Sequence, residues 1–189
     1  MNKKIKFLEE IGANGHVALN ILQYDGWILR FSNGYTRRAN SISVIYPSQL
    51  APEEKVPVCE EYYKRQGLSC LFKVTEEDVK LNKFLEARGY TQEAATSLMT
   101  VNLKDVDFES KNPAVAIERE YALLQNVVVS PKHRTKGYGK HLCKKLLEKA
   151  KEAYLQVVQT NKAANCLYED LGFKKEYEYW YMREPKEDK

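Results

Sequence analysis

The chain has 189 residues, 43% of them apolar, enough for one ordinary domain or two small halves sharing a core. The net charge of +4, with lysines spread along the chain, is too mild to mark a nucleic-acid binder. The start, MNKKIKFLEEIG, holds no apolar run of membrane-spanning or signal-peptide length. Cys59, Cys70, Cys143 and Cys166 are far apart and form no C-x-x-C pair, which reads as reduced thiols of a cytoplasmic protein, with neither a disulfide framework nor a metal site.

In chain order, residues 3–10 read as a short amphipathic helix broken by Gly12 and Gly15. YDGWILRF and TRRANSISVIY read as strands, with Asn33-Gly34 between them as the hairpin signal. Pro47, Pro52 and Pro57 mark a loop. VCEEYYKRQG reads as a helix closed by Gly67, and SCLFKV as a strand. Thr75 before Glu76, Glu77 and Asp78 reads as an N-cap with an acidic first turn, opening a helix that stops at Gly89. TQEAATSLMTV is the next strand, and residues 104–113 are the linker candidate.

AVAIERE and YALLQNVVVS follow as strands, then a helix with Leu142, Leu146, Leu147 and Ala150 on one face. YLQVVQ is a strand, Asn161 to Leu171 a helix ended by Gly172, and FKKEYEYWYM the last strand. The order repeats at an offset of 83, which places Gly89 on Gly172 and Met99 on Met182. This predicts an α/β fold of two related β-β-α-β-α-β halves: a degenerate half at 1–103 and a second half at 114–189.

The second half carries the chemistry. Val127, Val128 and Val129 read as a strand, ended by Ser130 and Pro131. Arg134, Thr135, Lys136, Gly137, Tyr138, Gly139 and Lys140 lead from it into the next helix. Backbone N–H groups at a helix start have no intrahelical partner, and glycines allow close approach, so a pyrophosphate suits this loop. A dinucleotide fingerprint would need glycine where Leu142 stands, and Gly-Lys-Ser/Thr of a Walker A loop is absent. His133, between Lys132 and Arg134, reads as a solvent-exposed loop histidine, with a pH-sensitive phosphate contact as the alternative.

The remaining pattern, R-x-x-G-x-G after an apolar strand and a proline, resembles the GNAT superfamily of acyl-CoA N-acyltransferases. N161-K-A-A-N-C-L-Y-E-D-L-G-F173 matches that family's N-x-x-A-x-x-L-Y-x-x-x-G-F. The first half, with DGW, LR and NGYTRRANS, resembles a bacterial branch that has an extra N-terminal GNAT-like domain. The resemblance implies a mixed, mostly antiparallel central sheet flanked by helices. It implies acetyl-CoA as co-substrate, held by Val127, Val128, Val129, the seven residues from Arg134 to Lys140, Asn161 and Ala164. It implies Tyr168 as general acid and, by analogy, Glu118 and Glu120 as candidates for the base. The expected acceptor is a small-molecule or protein amine, without metal, nucleic acid or membrane, and a homodimer is open. The stretch between the halves is too short for the helices that normally build an acceptor pocket. A non-catalytic acyl-CoA-binding or interaction protein is therefore the alternative.

Overall fold

The computed structural model describes residues 2–103, 115–147 and 150–185. The linker candidate at 104–113 lies outside the described residues. The architecture is mixed α/β, with mostly antiparallel sheet flanked by helices, and it divides into two compact units. Unit 1 comprises residues 1–95 and 179–189, and unit 2 comprises 96–178.

Unit 1 opens with helix α1 (Lys3–Asn14). Gly12 sits inside it and does not break it; Gly15 caps its end. Strands β1 (Asn20–Tyr24) and β2 (Trp27–Phe31) form a tight hairpin, with Tyr24 opposite Trp27. The turn is therefore Asp25-Gly26, whose φ angles of 41° and 82° suit a two-residue hairpin twist. Asn33-Gly34, the expected turn, lies in a wider loop with a 3-10 turn at Arg37–Ala39, and β3 is only Ile42–Val44. Helix α2 begins at Pro52, earlier than expected, with Pro57 inside it (Pro52–Arg65). A proline at the first helical position is preorganised, since its missing N–H is an orphan there anyway.

β4 (Leu71–Thr75) runs parallel to β3 and antiparallel to the Tyr179–Arg183 part of β9 (Lys174–Arg183). The cap of α3 (Val79–Ala87) is Asp78, not Thr75: the Thr75 N–H and hydroxyl both donate to Asp78 Oδ2 at 2.8 Å. One sheet face carries the apolar core, with Trp27, Leu29, Phe72, Val74 and Met182 packed against Val56, Tyr63, Leu81 and Leu85. The other face carries Arg30, Ser43, Lys73 and Tyr179, where Lys73 Nζ pairs with Glu9 of α1 at 2.6 Å.

In unit 2, the Thr96–Asn102 part of β5 (Thr91–Asn102) pairs antiparallel with β8 (Glu152–Val158). β8 is parallel to β7 (Tyr121–Leu124), which forms a hairpin with β6 (Val115–Glu118). Arg119 and Glu120, both at positive φ, make that hairpin turn. Helix α4 (Tyr138–Leu147) buries Cys143, Leu146 and Leu147 against Leu155, Val157 and Phe173, and α5 (Lys162–Asp170) packs Ala164, Leu167 and Tyr168 on the same cluster. No described helix is long and apolar enough to cross a membrane.

Candidate functional site

The site lies within unit 2, where two parallel strands part. β7 and β8 stay paired only as far as Leu123 opposite Tyr154, although β8 continues to Val158. Asn126, at φ 55°, turns the chain away. The expected strand at Val127–Val129 is therefore not part of the sheet. β7 stops at Leu124, and the three valines run as extended wall, Val127 and Val129 half-buried and Val128 exposed. Backbone that has left its ladder has hydrogen-bonding capacity available for a ligand.

After the wall comes a 3-10 turn, Pro131–His133, then the glycine loop. Arg134 Nε donates to Val129 O at 3.2 Å, folding the loop back on the wall. Thr135 and Gly137 both have positive φ, 63° and 79°. Gly137 O accepts from His141 N at 3.1 Å, so α4 starts just beyond it, with the N–H groups of its first turn unpaired within the helix. A Cβ on Gly137 would meet nothing within 4 Å, which leaves the loop open above. A Cβ on Gly139 would stand 3.4 Å from Leu167 Cδ2 and 3.7 Å from Val129 Cγ2. Gly139 is thus the narrow point between the wall and α5.

α5 forms the opposite side. Asn161 is its N-cap, and its Oδ1 accepts from Ala164 N at 3.2 Å. Asn165 Nδ2 donates to Asn161 O at 2.8 Å and Val158 O at 3.2 Å, fixing the turn from β8 into the helix. Between these elements lies a cleft of about 660 Å³. Val127, Val128 and Val129 line one side, and Asn161 and Ala164 the other. Arg134, Thr135, Gly137, Gly139 and Lys140 line its glycine-loop end. Size, an apolar strip and a cationic end built on a helix start fit an extended pyrophosphate ligand with an apolar arm.

Not every expected residue is there. Lys136 and Tyr138 are exposed outside the lining, Tyr138 lying edge-on to His133 at 6.0 Å. His133 is exposed in the loop, as expected, and also lines the cleft. Tyr168 does not line it. The ring is half-buried against Phe173, with centroids 5.9 Å apart, and burial, then the neighbouring Cys143, raises its hydroxyl above the ordinary value. Glu120 is exposed in the β6–β7 turn, paired with Lys151 at 3.1 Å, and is also outside the lining. The Glu118 side chain lies outside the described residues.

The sequence reading missed Ala163, Leu167 and Asp170, which line the cleft from α5. The stripe facing the cleft advances by threes, Ala164, Leu167 and Asp170, whereas the reading followed Asn161, Ala164 and Tyr168. Helical spacing allows both. Among the described residues no group of three His, Cys, Asp or Glu side chains is placed to hold a metal ion.

Comparison with known proteins agrees with this geometry. The model of the acetyltransferase (GNAT) family matches residues 100–173. A second family model, described as "Probable histone acetyltransferase Rv0428c C-terminal", matches residues 3–120, more than half of the chain. No curated protein matches by sequence. Among solved structures, a GCN5-related N-acetyltransferase from Kribbella flavida superposes with a TM-score of 0.70 at 12% identity, over 97% of this chain and 95% of that one. One from Sphaerobacter thermophilus gives 0.60 at 11%, over 72% and 69%. A tandem GNAT protein from the clavulanic acid biosynthesis pathway gives 0.54 at 10%, over 96% and 89%. At such identities the structures speak for the fold, and the family models carry the assignment: the chain belongs to the GNAT superfamily, in the family of the Rv0428c C-terminal region, and is an acyl-CoA-dependent N-acyltransferase.

Proposed function

We propose that the protein transfers an acetyl group from acetyl-CoA to a primary amine by direct attack, with the unit 2 cleft as the coenzyme site. The observation that carries this reading is the meeting of a diverted valine wall, a glycine loop at a helix start and an apolar strip in one cleft. The first-turn N–H groups of α4, with Arg134 and Lys140, suit a pyrophosphate. The strip of Val129, Ala164 and Leu167 suits the pantetheine arm. When bound, acetyl-CoA supplies an activated thioester carbonyl.

This chain's own part is to hold donors and move protons. The backbone of Val127–Val129 has left its ladder and can donate to a developing oxyanion. Tyr168 is the proposed proton donor to the leaving thiolate, its raised hydroxyl keeping the proton at neutral pH. Glu118 and Glu120 remain the proposed sources of a base, Glu120 only after release from Lys151. Asn161, a helix cap here, meets the coenzyme arm through the turn that it stabilises. In this reading residues 1–103 lack a coenzyme site of their own and 114–189 carry it.

The acceptor is a small-molecule or protein amine; the name of the matched family, which mentions histones, keeps the protein acceptor in view. A cytoplasmic location completes the proposal, resting on four free cysteines, three of them buried. A second reading, coenzyme binding without turnover, draws on the packing of Tyr168 against Phe173.

Calorimetry with acetyl-CoA on the wild type and on the Gly137→Asp/Gly139→Asp double variant tests the site. Binding that is lost in the variant is expected, and a folded wild type that does not bind would overturn the proposal. A panel of amines then separates the two readings: an acetylated product excludes binding without turnover.

A further inference from the structure

The NGYTRRANS segment, which the coenzyme cleft does not use, builds a hollow of its own in unit 1. Asn33 and Gly34 are both at positive φ, 51° and 73°. The buried Asn40 side chain holds this curl. Its Oδ1 accepts from Ser32 N at 2.6 Å and Gly34 N at 3.0 Å, and its Nδ2 donates to Thr36 O at 2.8 Å. Arg30 Nη1 adds a bond to Arg38 O at 2.6 Å, so protein groups alone shape the loop in advance of any ligand.

What the loop shapes is a space of about 100 Å³, bordered by Thr36, Arg37, Ser69 and Arg183. That is the share of roughly three water molecules. Glu93 joins the two arginines. Its Oε1 accepts from Arg37 Nε at 2.6 Å and Arg183 Nη2 at 2.8 Å, and its Oε2 from Arg183 Nε at 3.0 Å. Two guanidiniums against one carboxylate leave one positive charge in excess. Glu93 occupies neither Nη of Arg37 nor Nη1 of Arg183. The border adds two hydroxyls, from Thr36 and Ser69, and it contains no carboxylate. The hollow is therefore rich in donors and poor in acceptors, and of a size for a carboxylate bearing a methyl group.

We propose that this hollow is a binding site for a small carboxylate, gripped by the terminal Nη1/Nη2 fork of Arg37, with Nη1 of Arg183 as a further donor. Guanidinium groups match carboxylates in a bidentate, planar way that an ammonium cannot reproduce. The neighbouring Glu93 holds both guanidiniums in place and, as a like charge, limits the affinity. It stays ionised throughout: its carboxyl is held down at about 2, chiefly by its hydrogen bonds to Arg183. The residues that border it all belong to unit 1.

The test titrates the full chain with acetate against chloride at matched ionic strength, following the Arg Nε–H resonances. Saturable shifts at Arg37 and Arg183 are expected in the wild type. Arg37→Lys keeps the charge but removes the fork, and weakens acetate at least about five-fold. Glu93→Gln tightens it several-fold, a gain that a damaged fold would not produce. Acetate shifts no larger than those of chloride would overturn the site, as would an Arg37→Lys variant with wild-type affinity. Glu93→Gln without tightening would overturn the opposing role of Glu93. Inorganic phosphate binding more tightly than acetate would overturn the assignment to a carboxylate.

Discussion

Lys140 Nζ lies 3.6 Å from Asp170 Oδ2, and both residues line the unit 2 cleft proposed to hold the coenzyme. An acidic side chain thus sits among the groups offered to an anion and occupies one of its two cations. The pair is exposed, so it contributes at most about 1 kcal/mol to stability. Asp170→Asn is expected to tighten acetyl-CoA binding roughly two- to five-fold with little change in Tm. Calorimetry at low salt and at about 0.5 M salt checks this, because screening should shrink the difference. Equal affinities at low salt would show that Asp170 does not oppose the ligand.

The two loop glycines should fail in different ways. Gly139→Val places methyl groups between Leu167 and Val129, where a Cβ alone already stands 3.4 Å from Leu167. Coenzyme affinity should fall more than about ten-fold, or 1.4 kcal/mol. Gly137→Ala meets open space but must hold φ 79°, which costs about 1 kcal/mol of stability. Thermal melts and coenzyme titrations on both variants should show the two losses separated.

Tyr168→Phe should lower kcat with little change in coenzyme affinity. Burial raises the hydroxyl above its ordinary value near 10, so the proton-donating form persists below that pH. The rate should therefore lose this donor only above about pH 10, and the variant should lack that alkaline fall. An unchanged kcat would remove Tyr168 from the acid role.

Acid should weaken unit 1 through His16. Burial, and then the charge of Arg38, lowers its pKa from 6.5 to about 4. The native state thus binds fewer protons than the unfolded chain between these values. The stabilisation is complete above pH 6.5 and is lost as the pH falls toward 4, by up to about 3 kcal/mol. Partial exposure of the ring trims that figure to about 2 kcal/mol. Urea melts of wild type and His16→Gln over this range should show a steeper decline in the wild type.

Much of this was legible because it is local. Gly137 and Gly139 report loop geometry through their own backbone, and the motif around Asn161 marks a helix start by its capping residue. Non-local choices were not legible. Asp25-Gly26 and Asn33-Gly34 both take positive φ, and either could close a hairpin. Only the pairing of Tyr24 with Trp27 selects the first, while the second is held open by Asn40. The valine run has strong strand propensity, yet Asn126 in a left-handed turn takes it out of the sheet, a tertiary effect that propensity does not contain. Leu167 and Asp170 were missed because the phase of α5 is set by what it packs on.

The sheet of unit 1 is closed by Tyr179–Arg183, which pair with β4 after the chain has run through all of unit 2. On the ribosome, residues 1–95 must wait for that segment to emerge before Phe72 can meet Met182. Unit 1 is thus begun before unit 2 and finished after it, with β4 paired on its β3 side alone until Tyr179–Arg183 have been made. A nascent β4 edge of this kind is a place for chaperones to engage and for neighbouring chains on one message to mispair.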